Sequence, residues 1–227
     1  MRVDLNVDLG ELPDEPDALY ALAHIASIAC GGHAGDASSI RLALLRCQAH
    51  GTRAGAHPSY PDRARFGRTR MVMSGEDLRR AVREQCAALA AAARELSLTV
   101  ASVKAHGALY HDAAADRAIA DAVILGAKDA LGASFTLLGP AAGHLQGAAR
   151  EAGLRYAREG FADRATRADG TLVPRAEAGA LIVDPGAAAA RARELVAAGH
   201  VETVCVHGDT QGAVAIARAV RGALDGP

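Results

Sequence analysis

Short β-like runs alternate with longer alanine-rich helical runs along the whole 227-residue chain, and this alternation limits the fold more than any other feature. Seven runs read as strands: 3–7, 25–29, 52–56, 99–103, 134–138, 154–158 and 201–206. Most are rich in Val, Ile, Leu or Thr and stop at polar or glycine residues, as parallel strands buried on both faces do. The run 154–158 fits least well, because it contains two arginines. The helical runs have readable ends. Ser74-Gly75-Glu76-Asp77 resembles a capping box, and Leu78, Val82, Cys86, Leu89 and Leu96 follow at helical spacing. Asp184-Pro185 sets an N-cap before a proline at the first helical position, and Gly199 closes that helix. The runs 38–50 and 141–152 end at Gly51 and Gly153, and 212–224 reads as a last helix on the outside.

Strands alternating with helices predict an α/β fold, here a distorted (β/α) barrel of about seven parallel strands. A barrel is favoured over an open, doubly wound sheet because polar residues gather after most strands, where βα-loops meet at one mouth. An open sheet would concentrate them at a switch point. The barrel is expected to occupy 1–227 as one domain. Asp169-Gly170, flanked by extended residues, predicts a hairpin inserted within 161–174.

Composition narrows the partners. The chain is 50% hydrophobic but has no Trp, 3 Phe and 4 Tyr, so its core must be built from Ala, Leu, Val and Ile. With 25 Lys+Arg against 26 Asp+Glu there is no basic excess for nucleic acid. No apolar run reaches the ~18 residues of a membrane span. The opening Met-Arg-Val-Asp-Leu-Asn reads as a strand rather than an export signal, so a cytoplasmic protein is expected. Cys30, Cys47, Cys86 and Cys205 form no CxxC pair and read as inert thiols of the core.

The chemistry should sit at the strand ends. Strand one is followed by or contains Asn6, Asp8 and Glu11; strand two leads to His33 and Asp36; strand three to His57 and Ser59. Strand four leads to Lys104, His106 and Tyr110, strand six to Glu159, Asp163 and Arg164, and the last strand to His207 and Asp209. Asn6 and Asp8 alternate on a strand and so share a face, and an inward carboxylate must be paired, ligating or catalytic. Lys104 is tolerated in a buried parallel strand only if it meets an anion. Glu11 reads equally well as a helix-cap partner. Of the 9 histidines, the four at strand ends are assigned to the site. His24, His50, His111, His144 and His200 are read as surface or capping residues. Arg63, Arg65, Arg68 and Arg70 read as a solvated basic loop.

Several signatures are absent. There is no GxGxxG, no GxxxxGK[ST], no GxSxG and no HExxH. Acids and histidines on neighbouring strand ends can bind Zn or Mn as polysaccharide deacetylases do, but without a compact motif no metal site is assigned.

The motifs Asp4-Leu5-Asn6-Val7-Asp8-Leu9-Gly10-Glu11, Cys30-Gly31-Gly32-His33-Ala34-Gly35-Asp36 and Gly55-Ala56-His57-Pro58-Ser59-Tyr60-Pro61-Asp62-Arg63 together resemble the LamB/YcsF family. Phe66-Gly67-Arg68, Lys104-Ala105-His106-Gly107, Phe161-Ala162-Asp163-Arg164, 169–175 and Cys205-Val206-His207-Gly208-Asp209 continue the resemblance in order. It implies a barrel related to the glycoside-hydrolase and deacetylase folds, and 5-oxoprolinase activity. The chain would act as the A subunit beside carboxyltransferase-like B and C subunits, opening the lactam of 5-oxo-L-proline to L-glutamate. ATP would be the co-substrate, free or magnesium-bound; without a P-loop, either this chain or a partner binds it. On that reading Asp8, His57, Lys104, His106 and Asp163 are catalytic. Asn6, Glu11, His33, Asp36, Arg164, His207 and Asp209 bind substrate. The alternatives are a metal-dependent hydrolase and a non-catalytic scaffold, and self-association is open. Gly32 stands where the family usually has a bulky residue, Ala105 where it has proline, and Leu12-Pro13-Asp14-Glu15-Pro16 follows Glu11 in place of small and aromatic residues.

Overall fold

The computed structural model describes residues 3–167 and 171–226. Seven parallel strands close into a barrel: β1 (Asp4–Leu9), β2 (Ile25–Ala29), β3 (Arg53–His57), β4 (Val100–Lys104), β5 (Thr136–Pro140), β6 (Arg155–Phe161) and β7 (Thr203–His207). Each pairs with the next, and β1 closes the ring on β7 with Asn6 beside Cys205 and Asp8 beside His207. The predicted barrel and its strand count are therefore observed, with strand ends displaced by up to three residues. Barrels need helical crossovers between parallel strands, and eight helices supply the outer layer among the described residues: α1 (Asp17–Leu22), α2 (Ala37–His50), α3 (Gly75–Glu95), α4 (Ala108–Ala115), α5 (Arg117–Leu131), α6 (His144–Glu151), α7 (Pro185–Ala197) and α8 (Ala213–Asp225). The helices α1, α4 and α5 go beyond those expected from the sequence.

Strand alternation divides the core in two. Leu5, Val7 and Leu9 of β1 are fully buried in the apolar layer between barrel and helices, with Val103, Leu137, Val204 and Val206 from other strands. Asn6 and Asp8, on the opposite face, point into the barrel and meet Lys104 from β4. The interior of this small barrel is thus polar: Asn6 donates to Thr203 Oγ1 at 2.9 Å, and Ser27, Ser102, Glu159 and Cys205 are buried as well. Small residues permit the close approach that a core without Trp requires. A Cβ on Gly55 would lie 2.3 Å from Ser102 Oγ.

The caps explain the helix starts. Ser74 accepts from Asp77 N, and Asp184 from Ala187 N ahead of Pro185, as the sequence indicates. Gly51 ends α2 in the left-handed conformation. The weak strand 154–158 is real but runs on to Phe161; its Arg158 leaves the barrel to pair with Glu202. Antiparallel bridges Arg164–Leu181 and Thr166–Leu172, with Val173 N donating to Ala165 O, fold the segment after β6 back on itself. The Asp169-Gly170 turn expected there lies outside the described residues. No helix among the described residues is long and apolar enough to cross a membrane.

Candidate active site

The C-terminal ends of the strands enclose a cavity of about 490 Å³. Asp8, His57, Lys104, His106, Glu159, Arg164 and His207 line it, each delivered by a different strand end or adjoining turn except Lys104 with His106 and Glu159 with Arg164. The barrel alone gathers them, since Asp8 and His207 stand 199 positions apart (207 minus 8) yet are register partners.

Lys104 is the hub. Its ammonium pairs with Asp8 and, at 3.2 Å, with Glu159 Oε1, and donates to Asn6 Oδ1 at 2.9 Å. Cys205 Sγ lies at 3.2 Å. Burial opposes the charge on Lys104, but Asp8, Cys205 and Glu159 outweigh it and raise its pKa well above the usual lysine value. Burial likewise opposes ionisation of Asp8, and His57 and Lys104 overcome it, so Asp8 stays well below the carboxylate range. The anion that Lys104 needs is therefore supplied by the protein itself. The other cations at the cavity wall are Arg164, Arg68, Arg70 and Arg175.

Asp163 is placed differently from the expected base. It is fully buried, and its oxygens accept from His207 N at 2.9 Å, His207 Nδ1 at 3.0 Å and Thr210 Oγ1 at 2.9 Å. With both oxygens occupied, Asp163 is a positioning residue for His207, whose Nε2 is left 3.9 Å from Asp8 Oδ2. Burial would drive His207 neutral, but Asp163 raises its pKa above the ordinary histidine value.

A second group adjoins the first. Glu11 Oε1 lies 3.0 Å from His33 Nε2, 3.3 Å from His106 Nδ1 and 3.8 Å from His57 Nε2, and His57 Nε2 is 3.0 Å from His106 Nδ1. The ring of His33 stacks on that of His106 with centroids 3.6 Å apart. Burial holds His33 down to about 2 and His106 well below the usual histidine value, and it raises Glu11 well above the usual carboxylate value. These four residues, and separately Asp8, Cys205 and His207, bring ligand atoms close enough to hold a metal ion. The missing HExxH motif is uninformative because the four come from the ends of four different strands or the turns that follow them. Glu11 and His33 also line a neighbouring pocket of about 530 Å³. The helix-cap alternative for Glu11 does not hold: its side chain is 2% exposed and turned to the histidines.

Besides Asp163, Glu11 and His33, three further expected site residues lie apart from the cavity wall. Asp36 is exposed and N-caps α2 in a reciprocal capping box with Ser39, so its oxygen is committed to Ser39 N at 2.9 Å. Asn6 is wholly buried beneath Lys104. Asp209 bridges Arg68 and Arg175, at 2.6 Å each, and so ties the loop after β3 to the hairpin segment. The basic loop divides: Arg63 binds the Gly31 and Gly35 carbonyls, Arg65 pairs with Asp62, and Arg68 and Arg70 reach the cavity. His111, expected at the surface, is exposed at the cavity rim. Arg175 carries no local signal in the sequence, because only the folded hairpin segment brings it to the mouth. All four cysteines are free and buried, as expected, and burial raises Cys30 to about 12.

Local departures are accommodated by named neighbours. A Cβ at Gly32 would lie 2.3 Å from Gln85 Oε1 and 2.4 Å from Ser59 Oγ. Gln85 fills that space and binds both the N–H and the carbonyl of Ser59. In the segment after Glu11, buried Glu15 accepts from Gly10 N at 2.8 Å and Tyr20 Oη at 2.6 Å, fixing the turn that presents Glu11.

Comparison with known proteins agrees with this architecture. A protein from Thermus thermophilus, whose solved structure is described as a lactam utilization protein, superposes with a TM-score of 0.90 at 37% identity, covering 99% of this chain and 96% of that one. A protein of Nocardia farcinica, named as the A subunit of 5-oxoprolinase, is 44% identical over 99% of this chain and 96% of its own length. One of the same name from Methylococcus capsulatus is 42% identical over 96% and 90%. The LamB/YcsF family model matches residues 3–226, and the chain belongs to that family.

Proposed function

We propose that the chain is the lactam-handling subunit of an ATP-dependent 5-oxoprolinase, opening 5-oxo-L-proline to L-glutamate together with B and C subunits. The observation that carries this reading is the composition of the cavity wall: cationic Arg68, Arg70, Arg164 and Arg175 face the Asp8–Lys104–His207 network across about 490 Å³. That volume falls in the range of about 300–1,000 Å³ usual for small-molecule sites. It exceeds the needs of one small lactam and accommodates a phosphoryl group as well.

A lactam carbonyl is a poor electrophile. Transfer of the ATP γ-phosphoryl group to its oxygen, with loss of the N–H proton and departure of ADP, makes the ring carbon attackable. Water adds there, the ring nitrogen takes a proton and leaves as the amine, and an acyl phosphate results. A second water releases phosphate and the glutamate carboxylate. The arginines stabilise the substrate carboxylate and the developing phosphate charge. His207, oriented by Asp163 and facing Asp8, moves the protons, having a pKa above the usual histidine value and a free Nε2.

The test is to combine the chain with its B and C partners, 5-oxoproline and ATP, and to measure glutamate, ADP and phosphate. Coupled formation of all three supports the proposal. Wild-type turnover with Asp8→Asn and Arg164→Gln variants would refute it.

A further inference from the structure

The histidine–glutamate cluster contains a conflict that hydrogen bonding within it does not resolve. His57 Nδ1 lies 2.8 Å from the Lys104 carbonyl, and His106 Nε2 lies 3.0 Å from the Phe66 carbonyl. A carbonyl oxygen only accepts, so those two nitrogens carry the ring protons. In neutral rings the opposite nitrogens, His57 Nε2 and His106 Nδ1, then hold lone pairs, and they face each other at 3.0 Å. Glu11 Oε1 approaches the same point at 3.3 Å from His106 Nδ1, and Asp8 Oδ2 lies 3.3 Å from His57 Nε2. With both rings neutral and Glu11 ionised, acceptors converge with no donor between them, and burial works against that charge on Glu11 until a cation arrives. The charges lean the same way, since two buried carboxylates, Asp8 and Glu159, share one ammonium, Lys104.

We infer that Glu11, His57 and His106 form a site for a divalent transition-metal ion of the Zn²⁺ class. Imidazole and carboxylate donors suit such ions, and ligating histidines characteristically bind a backbone carbonyl through the other nitrogen, as both do here. His33 completes the surroundings as a positioning residue: its Nε2–H donates to Glu11 at 3.0 Å, its ring stacks on His106, and its buried Nδ1 has no hydrogen-bond partner. Three protein ligands leave a coordination position for water or substrate, the arrangement of catalytic rather than structural zinc sites. His57 and His106 also line the cavity, so that position adjoins the ligand space. The site stands independently of the lactam reading.

Metal binding by the full chain, without turnover, tests it. Chelator-stripped protein is dialysed against Zn²⁺ or Co²⁺, bound metal is counted, and the Co²⁺ visible spectrum is recorded. One equivalent per chain is expected, lost in the His57→Gln/His106→Gln protein and retained in His200→Gln, which alters an exposed histidine. His33→Gln should weaken binding about 10–100-fold. Because a double variant can misfold, Glu11→Gln and ¹⁵N NMR of the wild-type imidazoles provide a second measure. The spectra should show His57 Nε2 and His106 Nδ1 unprotonated and shifting when metal is added. No stoichiometric binding by the wild type, or an imidazolium at His57 that donates to His106 and ignores metal, overturns the inference.

Discussion

Asp163 and His207 form a buried pair in which the carboxylate grips both the ring Nδ1 and the backbone N–H of the histidine, at 3.0 and 2.9 Å. Each partner changes the proton affinity of the other. Burial opposes both charges, yet His207 lowers the pKa of Asp163 and Asp163 raises that of His207.

Stability should therefore depend on pH in a defined direction. The lowered carboxylate contributes above its ordinary value near 3.9, and that contribution is lost as pH falls through the lowered folded value. The raised histidine contributes below about 6.5, and its share is lost as pH rises through the raised folded value. Asp163→Asn should thus lose most stability relative to wild type between about pH 4 and 6.5, with the gap narrowing in alkali. Urea denaturation across that range measures it. A gap independent of pH would show that the pair is not ionised.

Lys104→Met removes the ammonium that stands between Asp8 and Glu159. Leaving buried charges without their partner typically costs about 3–5 kcal/mol. The loss should show in the urea midpoint at neutral pH and shrink in acid, where the carboxylates protonate. A cost under about 1 kcal/mol would mean that water or rearrangement already screens the site.

Arg164→Gln should act on ligand affinity more than on folding. The guanidinium donates to the Val173 carbonyl at 2.7 Å, while its buried Nε has no hydrogen-bond partner. Losing a charged hydrogen bond to an anionic ligand costs about 1.5–3 kcal/mol, or roughly 10- to 100-fold in KM. Steady-state kinetics of the proposed three-subunit enzyme, with 5-oxoproline and ATP varied separately, would locate the effect. An unchanged KM for both 5-oxoproline and ATP rules out this role.

Gly32→Ala should destabilise the fold by about 1–3 kcal/mol, because its Cβ would overlap Gln85 and Ser59. Shortening Gln85 to Ala relieves one of the two overlaps. The double variant should accordingly be more stable than the two single costs added together predict. Strict additivity in denaturation experiments would show that Gln85 does not set the size limit at Gly32.

Some of the site is readable residue by residue. Asn6 and Asp8 must share a face because strand side chains alternate, and Lys104 in a buried strand must have an anion. Both inferences are local consequences of backbone geometry and solvation. Asp36 misleads because its position within a run of site motifs hides a simpler pattern: Asp followed by Ser three residues later is itself a helix-start signal, and the pair caps α2. Asp163 looks like a reagent because its sequence neighbours do not reveal that His207 and Thr210, more than forty positions away, occupy its oxygens. The helices α4 and α5 are hard to read, for they meet at Asp116, whose side chain caps the second without any Gly or Pro to mark the break.

The alternation of strand and helix, the alanine-rich core, and which residue types could reach the strand ends were determined by the sequence itself, since period and solvation act over a few residues. The tertiary structure decided the pairing. Barrel closure sets β1 against β7, so Asp8 and Glu159 consume the charge of Lys104, Asp163 is spent on His207, Asp209 holds Arg68 and Arg175, and Arg164 faces the cavity. Closure also turns four strand-end histidines into three in contact through Glu11 and a fourth held by Asp163. No local pattern encodes that division, because it depends on distances across the barrel rather than along the chain.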